Sequence, residues 1–448
     1  MRALRWALGT LLLVAVTLLA FGFWIAEPWA EHRGMRSWPA TLSITIFGGD
    51  EKREGLAEVF RNWDQSPPYS RLVAASQPHE FPRKLRSLDA TYEWDEERYS
   101  LDQYLERARV QGLLVMREGE VVFEIYPEQT GPEDRYHLWS ASKSFTGTLI
   151  GIALYEGRIE SLDDRIDMYA KQFRGTAYGE ASIRDVMRMS SGVDFFHHQG
   201  FPERNWMYLR VFRLQENLDD FAAELKRRVP SGTDFNYLAP DTHVLSAVLR
   251  GAYDKRFVEI VQEKLWDPVG FGGDAIWSQN VPGDEGVAFG HCCLATRLID
   301  FAHLGELYHH DGVWNGRRLL PKGWAELAGR PGPAFQEPNE DPDATYPYSG
   351  YAMQFWVPPD YDGEFYAAGA FGQYLWIDIE NGVSIAQFAS QLPGDTDPRE
   401  RNAAFRAIVE AVRRPDEAAP FSSWQSADRV YLDRDEGPNR IDPDRRQK

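Results

Sequence analysis

The chain has 448 residues, 43% hydrophobic and 26% charged, enough for one large or two medium domains with a real core, which excludes a disordered chain or a small disulfide scaffold. Its 49 Lys and Arg against 68 Asp and Glu give a formal charge of -19, which repels phosphate backbones and argues against nucleic acid as a partner. Cys292 and Cys293 are sequence neighbours and close no loop between distant segments. Two free, partly buried thiols are the expectation, with a vicinal disulfide the alternative.

The first predicted element is Trp6 to Ala26, 21 residues without a charge, long enough to cross roughly 30 Å of hydrocarbon as a helix. Arg2 and Arg5 precede it while Glu27 and Glu31 follow, which predicts a membrane anchor with the remainder of the chain outside the cytoplasm. A cleaved secretory signal is the competing reading, against which the length of the apolar run speaks. Residues 27–90, with Pro28, Pro39, Pro67, Pro68, Pro78 and Pro82, read as a stalk and an N-terminal extension wrapped on the main body. Leu101 to Val110 has helical spacing. Leu113 to Met116, the turn at Glu118-Gly119 and Val121 to Tyr126 predict a β-hairpin. A second hairpin is predicted from Tyr374 to Ile379 and Val383 to Phe388 around Asn381-Gly382, followed by a helix from about Glu400 to Arg413. Between the hairpins the pattern is mostly helical. The expected fold is therefore mixed α/β, an antiparallel sheet built from both ends of the chain and flanked by helices, with a mostly helical region inserted. From about Pro415 the chain reads as a polar tail.

Chemistry concentrates in three segments. In Trp139-Ser140-Ala141-Ser142-Lys143-Ser144 a helix begins that is apolar on nearly every later face, which predicts burial. Lys143 has no carboxylate three or four residues away and lies at the positive end of the helix dipole, so its ammonium is disfavoured and its amine can accept a proton. Ser140, three residues earlier on the same face, is the hydroxyl such a base can activate, and the backbone N–H of Ser140 faces where an oxyanion could be held. Ser-x-x-Lys is common by chance, so the other segments carry weight. Tyr237 lies in a loop before a helix opened by Pro240, where its phenol could share proton transfer with Lys143. Gly369-Ala370-Phe371-Gly372-Gln373 precedes a strand whose edge a substrate could lie against. The run from Tyr351 to Trp356 could line an apolar pocket. His197-His198, His309-His310 and His291-Cys292-Cys293 contain ligand types, yet no His-Glu-x-x-His spacing exists, and neither metal nor cofactor is expected.

In this order the segments resemble the serine β-lactamase and penicillin-binding superfamily over roughly residues 90 to 413, specifically its class C-like esterase and amidase branch. Ser182 to Val193 and Thr296 to Ala302 extend the likeness. Asn236-Tyr237 with Asp241-Thr242, and Gly369 to Tyr374, look most like the 6-aminohexanoate-dimer hydrolases. The resemblance implies a β-lactamase-like fold with Ser140 as acylated nucleophile, Lys143 as its proton acceptor, and Tyr237 as the proton-shuttling partner. It also implies an oxyanion hole from the N–H groups of Ser140 and Ala370, and substrate contacts at Gly369, Phe371 and Trp356. Two departures stand out. The family's Tyr-x-Asn reads Tyr237-Leu238-Ala239, and Ala367-Ala368-Gly369 stands where a Lys-Thr-Gly or His-x-Gly triplet is expected, so a cation for a substrate carboxylate is missing. The expected organisation is residues 1–26 anchor or signal, 27–90 stalk and extension, 91–413 hydrolase domain and 414–448 tail. The expected activity is hydrolysis of small amides or esters. A β-lactamase or peptidoglycan peptidase, and a catalytically retired binding scaffold, are the alternatives.

Overall fold

The computed structural model describes residues 50–413, except 66–67, 128, 196–206, 208–209, 212–213, 340–345 and 393–394. In chain order, the elements that matter for the site are α1 (Asp50–Arg61), β1 (Tyr69–Leu72), α2 (Leu101–Arg107), β2 (Val110–Arg117), β3 (Glu120–Ile125), β4 (Arg135–His137), α3 (Ser142–Tyr155) and α4 (Ile183–Met187). They are followed by α5 (Ala239–Tyr253), β5 (Ala275–Ser278), β6 (Leu294–Arg297), α6 (Leu298–His309), β7 (Gly350–Tyr351), β8 (Trp356–Val357), β9 (Glu364–Gly369), β10 (Gln373–Asp378), β11 (Val383–Ala389) and α7 (Pro398–Val412).

Among the described residues the main sheet has seven strands in the order β7-β8-β9-β10-β11-β2-β3, every neighbouring pair antiparallel. The two ends of the chain meet where β11 pairs with β2, Ser384 opposite Met116 and Ala386 opposite Leu114. Both predicted hairpins are present, and the first turns through Glu118 and Gly119, each with positive φ. Strand alternation sorts the core into two layers. Leu114, Met116, Leu375, Ile377 and Ala386 face α6 with Phe301 and Leu304. Leu113, Val115, Trp376 and Ile385 face α2 and α7 with Tyr104, Phe405 and Ile408. Each of the Leu, Ile, Val, Met and Phe side chains among them contributes roughly 1.5–3 kcal/mol on burial. Glu306 of α6 is only 1% exposed, and burial pushes its carboxyl up to about 8.

A second, four-stranded sheet runs β1-β5-β6-β4. Its strand β4 leads directly into α3, the buried helix between the sheets and the helical region. Small residues let neighbours press onto α3: a Cβ at Gly151 would sit 2.5 Å from the Trp324 ring, and one at Gly147 would sit 2.8 Å from Cβ of Gln354.

Two expectations are corrected. Among the described residues no helix is long and apolar enough to cross a membrane, and Trp6 to Ala26 lies outside those residues. The membrane anchor, the membrane as a partner and the extracytoplasmic placement built on that segment therefore have no support and are set aside. Cys292 and Cys293 are joined as a vicinal disulfide rather than left as thiols, in a loop where Cys293 takes a left-handed backbone, φ 79°. The predicted tail beyond Pro415 also lies outside the described residues.

Candidate active site

Ser140 sits in a short 3-10 turn, Trp139–Ala141, that joins β4 to α3. The turn is pinned on both sides: the Leu138 N–H donates to Leu294 O at 2.8 Å, and the Ser142 hydroxyl donates to Trp139 O at 2.7 Å. Trp139 is left-handed, φ 50°. Its ring packs on Phe60 of α1 at 5.6 Å and on Phe371 at 5.1 Å. Ser140 itself remains half-buried.

Lys143 is 2% exposed. Its Nζ lies 3.0 Å from Ser140 Oγ and donates to His291 O at 2.8 Å. Burial alone lowers its pKa to about 7, so near neutrality much of it is the free amine. One N–H is then taken by the His291 carbonyl, which leaves the nitrogen lone pair for the serine proton. The face of the Tyr237 ring lies 5.0 Å from Nζ. Tyr237 is half-buried on the loop before α5, where Pro240 occupies the first turn. The loop is fixed on either side of the tyrosine, because the Asn236 N–H donates to Met189 O at 2.8 Å and the Leu238 N–H to Met189 Sδ at 3.4 Å.

The third segment reaches the same place from the sheet. At the end of β9, a Cβ on Gly369 would lie 2.0 Å from Leu138 O, so only glycine lets the strand run alongside the Ser140 turn. Ala370 is exposed just beyond. Phe371 is left-handed, φ 65°, in a tight turn held by the Gln373 side chain, which donates to Phe371 O at 3.2 Å and Ala389 O at 2.7 Å. Trp356 packs against Tyr237 in a tilted arrangement at 4.9 Å, with Tyr346 at 5.5 Å and Tyr351 at 5.7 Å from the same ring. The structure thus brings Ser140, Lys143, Tyr237, Gly369, Phe371 and Trp356 into one neighbourhood. Of the histidine pairs, His309 bonds to Ser384 at 2.9 Å. His197 and His198 lie outside the described residues. Among the described residues no group of three or more His, Cys, Asp or Glu side chains could hold a metal ion.

Sequence reasoning missed several members. The His291 carbonyl is a backbone group and leaves no mark in residue type. Asp241 is buried, accepts from Tyr178 at 2.6 Å and from Ser191 at 2.9 Å, and is pushed up to about 7 because burial outweighs those donors. Its place beside Thr242 one turn after Tyr237 was legible only as part of the resemblance.

An antiparallel sheet closed by both chain ends, a buried helix opening with Ser-x-x-Lys, and a tyrosine facing the lysine define a serine hydrolase of the β-lactamase-like class. The Beta-lactamase family model matches residues 100–410, and the chain belongs to that family. A 6-aminohexanoate-dimer hydrolase from Paenarthrobacter ureafaciens is 28% identical over 306 residues, covering 66% of this chain and 76% of that protein. In fold, the chain is similar to a Bacillus anthracis protein provisionally named a 6-aminohexanoate-dimer hydrolase, with TM-score 0.67 and 22% identity over 79% of this chain and 92% of the other. It is also similar to an octameric penicillin-binding protein homologue from Pyrococcus abyssi, with TM-score 0.53 and 16% identity over 72% and 79% of the two chains.

Proposed function

We propose that the protein hydrolyses small amides or esters through an acyl-enzyme on Ser140, linear amides of the 6-aminohexanoate-dimer kind being the substrate class its curated relative suggests. The observation that carries the reading is the buried amine of Lys143, 3.0 Å from Ser140 Oγ and titrating at about 7. In the free-amine form Lys143 takes the Ser140 proton as Oγ attacks the substrate carbonyl carbon. The negative charge that develops on the carbonyl oxygen is held by the N–H groups of Ser140 and Ala370. As the tetrahedral intermediate collapses, the proton passes from Lys143, with the Tyr237 phenol as partner, to the departing amine or alcohol. Water then gives up a proton by the same route, attacks the acyl carbon and releases the acid, and Ser140 regains its proton. Phe371 and Trp356 line the apolar approach.

A fluorophosphonate probe, which traps an activated serine, tests this directly. Labelling at Ser140, lost in Ser140→Ala and reduced several orders of magnitude in Lys143→Ala with both variants still folded, is the expected result. Undiminished labelling of Ser140→Ala removes that serine from the mechanism. Short-chain esters and linear amides assayed with the same variants give the substrate preference.

A further inference from the structure

One buried residue outside the proposed machinery touches the helix that carries Lys143 and the helix that Tyr237 precedes. Gln354 lies in the short connection between β7 and β8, closed by the Ala352 N–H donating to Phe355 O at 2.9 Å. Its backbone is left-handed, φ 67°, a conformation glycine adopts without strain and glutamine does not. It is 2% exposed, and its polar groups reach three helices. Its carbonyl accepts from the Ser144 hydroxyl on α3 at 2.7 Å, and Oε1 accepts from the Thr242 hydroxyl on α5 at 2.6 Å. Nε2 donates to Met187 O at the end of α4, at 2.8 Å. Gly147, one turn along α3 from Lys143, has no side chain where Gln354 lies.

These partners have specific places in the site. Ser144 follows Lys143. Thr242 is in the first turns of the helix that Tyr237 precedes. Met187 is two residues before Met189, whose backbone and sulfur hold the residues on either side of Tyr237. Two residues beyond Gln354, Trp356 packs against the Tyr237 ring. We propose that Gln354 is the positioning residue that sets the distance of Tyr237 from the Ser140–Lys143 pair, its side-chain amide fastening α4 and α5 to a backbone that its own carbonyl ties to α3. The inference rests on the acyl-enzyme reading above. Without the amide, Thr242 and Met187 O lose a buried partner and α4 and α5 come loose from the connection that Ser144 still ties to α3, so Tyr237 drifts and water reaches Lys143. A displacement of about 1 Å at a reacting group costs roughly 100-fold in rate. The titratable groups beside the amine are the Tyr237 phenol and the His291 imidazole, which burial holds well below its ordinary range. With both unchanged, rehydration moves the lysine toward its ordinary, higher pKa.

The test compares Gln354→Met, which keeps length and loses both amide bonds, with Gln354→Gly, which also relieves the left-handed backbone. Fluorophosphonate labelling of Ser140 is followed from about pH 5 to 9, with melting temperature recorded for each variant and KM measured on a short-chain ester. Labelling slowed by roughly 30- to 100-fold in both variants, KM little changed and the rising limb of the pH profile moved upward support the inference. The glycine variant should melt above the methionine variant yet be no faster. Thr242→Val removes the same bond from the other side, should show the same upward shift, and carries the test if neither Gln354 variant folds. Wild-type rates in the folded variants, or a loss that follows melting temperature with the pH limb unmoved, overturn the inference. Failure of the underlying reading shows separately, as persistent labelling of Ser140→Ala.

Discussion

Gly369→Ala tests whether the end of β9 supplies half of the oxyanion hole. The new Cβ would lie 2.0 Å from Leu138 O and 3.1 Å from the Leu138 carbonyl carbon, whereas a carbon rests against a carbonyl oxygen at roughly 3.3 Å. About 1.3 Å must therefore be found between two pieces of backbone. Neither yields freely, because Leu138 is bonded to Leu294 and β9 is held in register with β10 as far as Gly369 opposite Gln373. The gap opens at the Ser140 turn, and the Ala370 N–H moves out of reach of the developing oxyanion. Loss of one such donor costs roughly 100- to 1000-fold, about 2.7–4 kcal/mol at the barrier. Stopped-flow acylation with an activated ester should show that loss in rate with little change in KM. Ala370→Gly keeps the N–H where it is and should stay within about threefold of wild type. A folded Gly369→Ala protein that acylates at the wild-type rate would refute the assignment of this strand end.

Three further outcomes are expected. With Lys143 titrating at about 7, acylation should rise with pH through that value, with about one tenth of the plateau rate at pH 6; a midpoint above about 9 would mean the lysine is an ordinary ammonium. Glu306 is buried and pushed up to about 8, so its protonated form favours the fold below the ordinary glutamate range and that stability is lost as pH rises through about 8. Glu306→Gln should flatten urea stability between pH 5 and 9 by an amount on the order of 3 kcal/mol, and an unaltered slope would mean the carboxyl finds hydration. Because Ala367 is fully buried and brings no cation to the strand edge, kcat/KM for a short ester should exceed that for benzylpenicillin by roughly 100-fold. Comparable efficiencies would point instead to a β-lactamase.

What the sequence made legible is what repeats or contrasts locally. Asn381-Gly382 between alternating apolar runs marks a hairpin because few residues accept that turn, and it lies between β10 and β11. The lysine at the foot of an apolar helix stood out because a buried cation without a carboxylate is costly, and Lys143 is buried with its pKa lowered. The remainder depends on contacts distant in sequence. Nothing local tells that the His291 carbonyl meets Lys143, 148 positions earlier, or that Gln354 bridges Ser144 and Thr242. The disulfide was misjudged because adjacent cysteines close only with an unusual backbone, which residue type alone does not announce. The apolar run near the N-terminus shows the opposite failure: its length and flanking charges carried a whole chain of inference about location, and no described helix supports it.

The aromatic packing that α1 and the turn after it place beside the nucleophile has a consequence for how much of the chain the site needs. Phe60 is fully buried against Trp139 and Phe371, and Trp63 stacks on His137 at 3.7 Å, yet both aromatic residues precede the stretch that matches the family. The three proposed catalytic groups lie within that stretch, whereas part of the packing behind the Ser140 turn comes from outside it. Changes at Phe60 or Trp63 are therefore felt at the Ser140 turn through Trp139 and His137 while Ser140, Lys143 and Tyr237 stay untouched. A chain trimmed to the recognisable family boundaries would retain all three groups and lose the aromatic packing that backs Trp139.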